Sequence, residues 1–214
     1  MNKLLISTGV LAALGLSGCG GDKLEEIITK ATPQTPFSRV VFDPANGNLN
    51  IPNDLLMLPG ADGFFDYTLN IPVVDPTNFG DPQNALNILD GWSTNQPFVI
   101  NVETPPNTSL NADTLGAGVH LYEATLGLNQ QDADCAAIPI PSAGCKVGDK
   151  LTFGVDYVLG LADSNTITVV PLKPLKAAQG YLLVMTEDLK DSSGKPVKGS
   201  STWDLVAQDI ENNV

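Results

Sequence analysis

Cationic side chains are scarce in this chain: of its 214 residues, 11 are Lys or Arg against 24 Asp or Glu, a net charge of −13, and no basic cluster occurs. A polyanionic partner needs the opposite balance, which excludes nucleic acid and direct adhesion to an anionic lipid surface. Histidine is limited to His120 and no C-x-x-C pair is present, so the usual zinc-ligand spacings are missing. Apolar runs are short as well: the one from Leu4 to Leu16 cannot span a bilayer. No sustained helical periodicity interrupts the body of the chain, so a doubly wound parallel sheet is not supported. Charged residues make up 16% of the sequence, alongside 20 glycines and 16 prolines, a composition that favours strands and ordered loops.

What is present begins with MNKLLISTGVLAALGLSGC. A single Lys3 precedes the apolar run, and small residues Ser17 and Gly18 follow it, the order of a secretory signal. Leu16-Ser17-Gly18-Cys19 resembles the lipobox of bacterial lipoproteins. That resemblance implies removal of residues 1–18, a diacylglyceryl group on the Cys19 thiol and acylation of the new amino terminus. A plain secreted protein whose mature end holds a cysteine is the alternative. At about 0.8 kcal/mol per buried methylene, three acyl chains would make dissociation negligible. Gly20 rather than Asp after the cysteine points, within that family, to the outer membrane. Residues 19–36 then read as a lipidated tether: Leu24, Ile27, Ile28 and Ala31 have helical spacing, but two turns are marginal in water.

Cys135 and Cys145 enclose nine residues that include two prolines. In an exported chain this pattern is a disulfide closing a surface loop, contributing roughly 2.5–3 kcal/mol in the simple loop-entropy model. Beyond Pro97 period-two alternation recurs: Phe98, Ile100 and Val102; Val119 and Leu121; Leu151, Phe153, Val155 and Tyr157; Ile167 and Val169; Tyr181, Leu183 and Met185. Short strands separated by Gly, Pro, Asn and Asp predict a mainly β fold, an antiparallel sandwich over residues 94–200. TITVVPLKPLKAAQGYLLVMTEDLKDSSGKPVKG resembles the last part of a bacterial immunoglobulin-like domain, with Gly180 and Gly194 available for positive φ and Pro196 resuming extended chain.

Residues 37–93 have a loop-rich texture with three copies of one pattern: Asp43-Pro44-Ala45-Asn46, Asp75-Pro76-Thr77-Asn78 and Asp81-Pro82-Gln83-Asn84. One reading is calcium ligation, with Asp43, Asn46 and Asn48 as candidates helped by Asn50. The favoured one is a set of turns, since Asp at i and Pro at i+1 suit a type I turn and the carboxylate caps backbone amides.

Phe42 to Pro44, Ile51 to Leu56, Thr68 to Pro72 and Ala85 to Thr94 occur in an order that resembles the amino-terminal domain of bacterial virulence-factor lipases, many of them lipoproteins. The resemblance implies a hydrolase domain bearing a nucleophile elbow G-x-S-x-G. The mature part of this chain has no such elbow: Gly91-Trp92-Ser93-Thr94-Asn95 lacks the second glycine. A Ser-His-Asp triad would require His120, which lies in GVHLYEA as an ordinary strand residue. No catalytic residue and no cofactor is carried over.

Residues 201–214 place Ser201 as N-cap, Asp204 at N3, and Trp203, Val206, Ala207 and Ile210 on one helical face. This short carboxy-terminal amphipathic helix either packs on the sandwich or leads into a hydrolase domain. The carboxylate pairs Glu25-Glu26, Asp132/Asp134 and Glu187-Asp188 read as solvated, and Trp92, Phe64, Phe65 and Tyr67 as packing residues. The expected function is therefore a non-catalytic, membrane-anchored lipase amino-terminal domain at the cell surface. The alternative is a free-standing outer-membrane binding or adhesion lipoprotein, and the reading frame beyond Val214 discriminates the two.

Overall fold

The computed structural model describes residues 37–57, 59, 68–139 and 144–207. Cys19 with the signal and tether, Glu25, Glu26, Phe64, Phe65, Tyr67 and Ile210 lie outside the described residues. The strands are β1 (Arg39–Val40), β2 (Phe98–Glu103), β3 (Val119–Leu126), β4 (Gly144–Lys150), β5 (Tyr157–Leu161), β6 (Thr166–Pro171) and β7 (Gly180–Met185). They form a four-stranded sheet in the order β1-β2-β6-β5 and a three-stranded sheet in the order β4-β3-β7, every pairing antiparallel. The short helices are α1 (Pro82–Leu86), α2 (Leu115–Gly118), α3 (Ala133–Ala136) and α4 (Ser201–Val206). The fold is mainly β, as the alternation predicts.

Alternation works here because each strand buries one face. Ile100 and Val102 of β2, Val119 and Leu121 of β3, and Ile167 and Val169 of β6 all join one buried cluster with Leu110, Leu189 and Val197, so both sheets contribute to a single core. Register brings like positions together: Ile100 pairs with Ile167, and Leu121 with Leu183. Buried Tyr157 of β5 donates its hydroxyl to the Val119 carbonyl of β3 at 3.1 Å, a polar tie from one sheet to the other inside the core. Burial raises the Tyr157 phenol above its ordinary value, consistent with a neutral donor.

Two expectations need correction. The alternation Leu151, Phe153, Val155 is not strand. The Asp156 carboxylate accepts the Thr152 N–H at 2.8 Å, the Thr152 carbonyl accepts from Val155 and Asp156, and Gly154 sits at φ +81°, so a side-chain-closed turn displaces the ladder. Gly180 is not needed for positive φ. It is a strand residue, and an added Cβ would lie 2.7 Å from Leu126 Cγ and 2.8 Å from the Ala124 carbonyl, so the glycine allows β7 to approach β3; Ala178 takes the positive φ, +53°. Gly194 does occupy the left-handed region, at φ +78°.

The segment before β2 is held by local polar bonds. The Asp75 carboxylate accepts from the Thr77 N–H and hydroxyl at 2.9 and 2.7 Å, and Asp81 caps α1 by accepting from the Gln83 N–H at 2.9 Å. The Asn87 side chain accepts from Ile71 N–H and donates to its carbonyl, at 2.7 and 2.9 Å, pinning this segment against itself.

Candidate functional site

Cys135 and Cys145 are joined, with Cα atoms 5.7 Å apart, within the normal range for a disulfide. Cys135 lies buried on α3, where the Asp132 carboxylate caps the helix by accepting from the Asp134 and Cys135 N–H groups. Lys146, next to Cys145, bridges Asp132 at 2.7 Å and Asp134 at 3.0 Å. The Lys146 ammonium, then the Cys135 N–H, hold Asp132 below the usual carboxylate range, the reverse of a glycosidase acid. The Asp132/Asp134 pair is thus a clip on the disulfide corner.

At the calcium candidates, the Asn46 amide donates to the Asp43 carboxylate at 2.6 Å, and Asp43 and Asn48 exchange backbone hydrogen bonds across a turn closed by Gly47 at φ +74°. Asn50 spends its oxygen on the Asn101 N–H at 2.8 Å and its amide on the Val41 carbonyl at 3.0 Å. These partners are those of a turn stitched to β2. Among the described residues, no three His, Cys, Asp or Glu side chains gather as a metal site.

His120 projects from β3 into an open cleft of about 350 Å³ lined by Gly116, Lys150, Thr152, Phe153 and Tyr157. Burial, then the charge of Lys150, hold its imidazole below the ordinary value, so it is neutral at pH 7. Among the described residues no serine hydroxyl lies within hydrogen-bond reach of it.

One pair of residues escaped the reading of the sequence. Asp54, in the Ile51 to Leu56 motif, meets Trp92, in the Ala85 to Thr94 motif. Burial raises the Asp54 carboxyl above its ordinary value, and the nearby indole N–H partly offsets this. The Trp92 Nε1 is itself buried and, among the described residues, reaches full hydrogen-bond geometry with no group. Asp54 also lines a cleft of about 360 Å³ beside the disulfide, together with Leu126, Lys146, Val147, Tyr181 and Leu182. In the sequence the two residues sit in separate motifs that nothing joins. Their chemistry, one acid and one indole, supports packing or ligand contact.

A further uncovered feature is α4. Its N-cap is Ser200, one residue earlier than expected: the Ser200 hydroxyl accepts the Trp203 N–H at 3.0 Å, leaving Asp204 beyond N3. Asp204 instead pairs with Arg39 of β1 at 2.5 Å, and Arg39 also donates to the Gly199 carbonyl at 2.9 Å. The preceding segment runs beside β1, with Val40 donating to Lys198 and Lys198 to Ser38. From this fixed base, the helix holds Trp203, Leu205 and Val206 in the open, 63%, 69% and 75% exposed. An apolar helix anchored at its first turn but uncovered along its side chains can bury surface against a further partner.

Comparison with curated proteins and with solved structures finds no match. A family model, described as bacterial virulence factor lipase N-terminal, matches residues 30–212, a span that encloses all seven strands and α4. The chain belongs to the bacterial virulence factor lipase N-terminal family.

Proposed function

We propose that this chain is the non-catalytic amino-terminal domain of a surface-anchored lipase or phospholipase lipoprotein, a platform that supports a serine-hydrolase domain elsewhere in the same protein. The observation that carries this reading is the family match over residues 30–212. His120, neutral and with no serine hydroxyl in hydrogen-bond reach among the described residues, and the uncovered side chains of α4 agree with it, the latter offering a surface for a neighbouring domain. In this reading residues 1–18 are the signal, 19–36 the lipidated tether, 37–93 the loop-rich β region, 94–200 the sandwich, and 201–214 the connecting helix. The Cys135–Cys145 disulfide suits an oxidising compartment, and Cys19 is the residue that would fasten the chain to the outer membrane.

The platform is of immunoglobulin-like type. Strands β1, β2, β6 and β5 stand in the A-B-E-D order of that fold, and β4, β3 and β7 in its C′-C-F order. Tyr181, at the start of β7, accepts the Lys176 N–H at 2.8 Å through its hydroxyl, the backward bond of a tyrosine corner.

Two measurements test the proposal. Purified residues 20–214 are expected to leave p-nitrophenyl esters and lysophospholipid intact; turnover lost on changing one serine contradicts a non-catalytic role. Labelled palmitate is expected to enter the full chain and not Cys19→Ser; equal labelling of both contradicts the anchor.

A further inference from the structure

Between Arg39 and Lys146 the chain carries no Lys or Arg at all, while Asp and Glu recur throughout. Within this cation-free stretch, Val74 is 101% and Phe79 92% exposed, the most uncovered large apolar side chains among the described residues. Isolated exposed apolar side chains are ordinary on protein surfaces. These two are not isolated: they flank one turn, closed by the Asn78 N–H donating to the Asp75 carbonyl at 3.2 Å. Neither is the turn loose. Asp75 fastens Thr77 from inside, the Asn78 side chain accepts the Gly80 N–H at 3.1 Å, and the Asn84 amide of α1 donates to both the Asp75 and Asn78 carbonyls, at 2.8 and 2.7 Å. Exposed Ile88 follows shortly after α1.

We propose that the Val74–Phe79 turn is a lipid-insertion tip that partitions into an electrically neutral phospholipid surface. Three features choose this occupant. A protruding, fully exposed Phe needs a phase that conforms to it, which acyl chains do. Part of the turn's polar backbone is already held, the Thr77, Asn78 and Phe79 N–H groups within the turn and the Asp75 and Asn78 carbonyls by Asn84, which lowers the cost of taking it from water. The flanking charges, Asp75 and Asp81, are both acidic, and the Thr77 hydroxyl and N–H hold Asp75 below the usual carboxylate range, so it stays ionised and is repelled by anionic headgroups. Membrane-surface loops that depend on anionic lipid carry Lys and Arg, and this one has none to offer.

The test uses residues 20–214, which lack both the apolar run Leu4 to Leu16 and the acylatable Cys19; residues 35–214 form one compact unit that holds the buried cluster. Partitioning is measured by cosedimentation with vesicles of phosphatidylcholine alone and of phosphatidylcholine mixed equally with phosphatidylglycerol. Phe79→Ser is expected to lower the partition coefficient about ten- to a hundredfold and Val74→Ser about tenfold, from the apolar surface each removes. Melting should not change, because both side chains are exposed. Trp203→Ser, on α4, should leave partitioning unchanged, and phosphatidylglycerol should weaken it. Absence of binding to phosphatidylcholine, insensitivity to both serine variants, or a requirement for phosphatidylglycerol would each overturn the assignment. So would a Phe79→Ser chain that binds vesicles normally but no longer associates with a hydrolase domain, which would make the turn a protein contact.

Discussion

Asp191 ties the beginning of the folded part to its end, and removing its carboxylate tests how the domain holds its two exits together. Asp191 is 1% exposed, and one oxygen accepts the hydroxyl of Ser38, itself 0% exposed and 153 positions away, at 2.8 Å. The other oxygen accepts the Ser193 N–H, the Ser193 hydroxyl and the Lys195 N–H at 2.9, 2.6 and 3.1 Å. Burial alone would raise this carboxyl, but the bonds from Ser193, Ser38 and the Lys195 N–H outweigh it and the value falls below the ordinary range. Hydrogen bonds to a charged group contribute about 1.5–3 kcal/mol each. Ser193 and Lys195 are exposed and regain water when Asp191 is lost, whereas Ser38 does not. Asp191→Ala should therefore cost about 3–5 kcal/mol and Ser38→Ala about 1.5–3 kcal/mol.

Urea unfolding followed by tryptophan fluorescence reads this directly. With a slope near 2 kcal/mol per molar, Asp191→Ala moves the midpoint down by roughly 2 M. The pH dependence adds an independent check. Because the folded-state value is depressed, the stabilisation is complete above the unfolded-state value, near pH 3.9, and is lost as pH falls through the folded-state value. The gap between wild type and Asp191→Asn should hold steady from pH 5 to 8 and close under strong acid. Equal stability of the two at pH 7, or a gap that persists unchanged at pH 2, would show that the ionised Asp191 carboxylate does not hold the two segments together.

Other outcomes follow from the same structure. Replacing Cys135 and Cys145 by Ala should cost about 2.5–3 kcal/mol, read as a lower urea midpoint, because a short loop is released in the unfolded chain. Gly118→Ala should unfold the domain or cost more than about 3 kcal/mol in thermal melts, since the new Cβ would lie 2.2 Å from the Leu189 backbone nitrogen. Asp54→Asn should stabilise the fold at pH 7 and have no effect in strong acid: burial raises the Asp54 value, so the folded state gains stability as pH falls toward the unfolded-state value. Trp203→Ala should alter stability by less than about 0.5 kcal/mol, because the indole is largely exposed, yet weaken association with a hydrolase domain in a pull-down.

The strands that bury a face were legible in the sequence, for period-two alternation is the direct trace of a half-buried ladder: Ile100 and Val102, Val119 and Leu121, and Ile167 and Val169 all reach the core. Strand β4 was not legible because it lies at a sheet edge with nearly every residue in the open, so no alternation marks it. Leu151 to Val155 misled for the opposite reason: the alternation is there, but Asp156 and Gly154 close a turn beneath it. The disulfide followed from spacing and composition, since two cysteines near prolines, in a chain whose first residues read as a secretory signal, have few other uses. The meeting of Asp54 with Trp92 and the exposure of Val74 and Phe79 depend on how loops fold back on themselves. Their side-chain hydrogen bonds leave only Asp-Pro and Asn signals in the sequence, which specify turns without saying what the turns present.

The proposed platform role requires that this domain hold no activated serine. A fluorophosphonate probe forms a covalent bond only with a serine whose base and oxyanion site are in place, so its stoichiometry on residues 20–214, read by intact mass, tests the claim most directly. No adduct is expected at neutral pH with or without His120→Ala. One adduct per chain on a single serine, abolished by His120→Ala, would contradict it and place catalysis inside this domain.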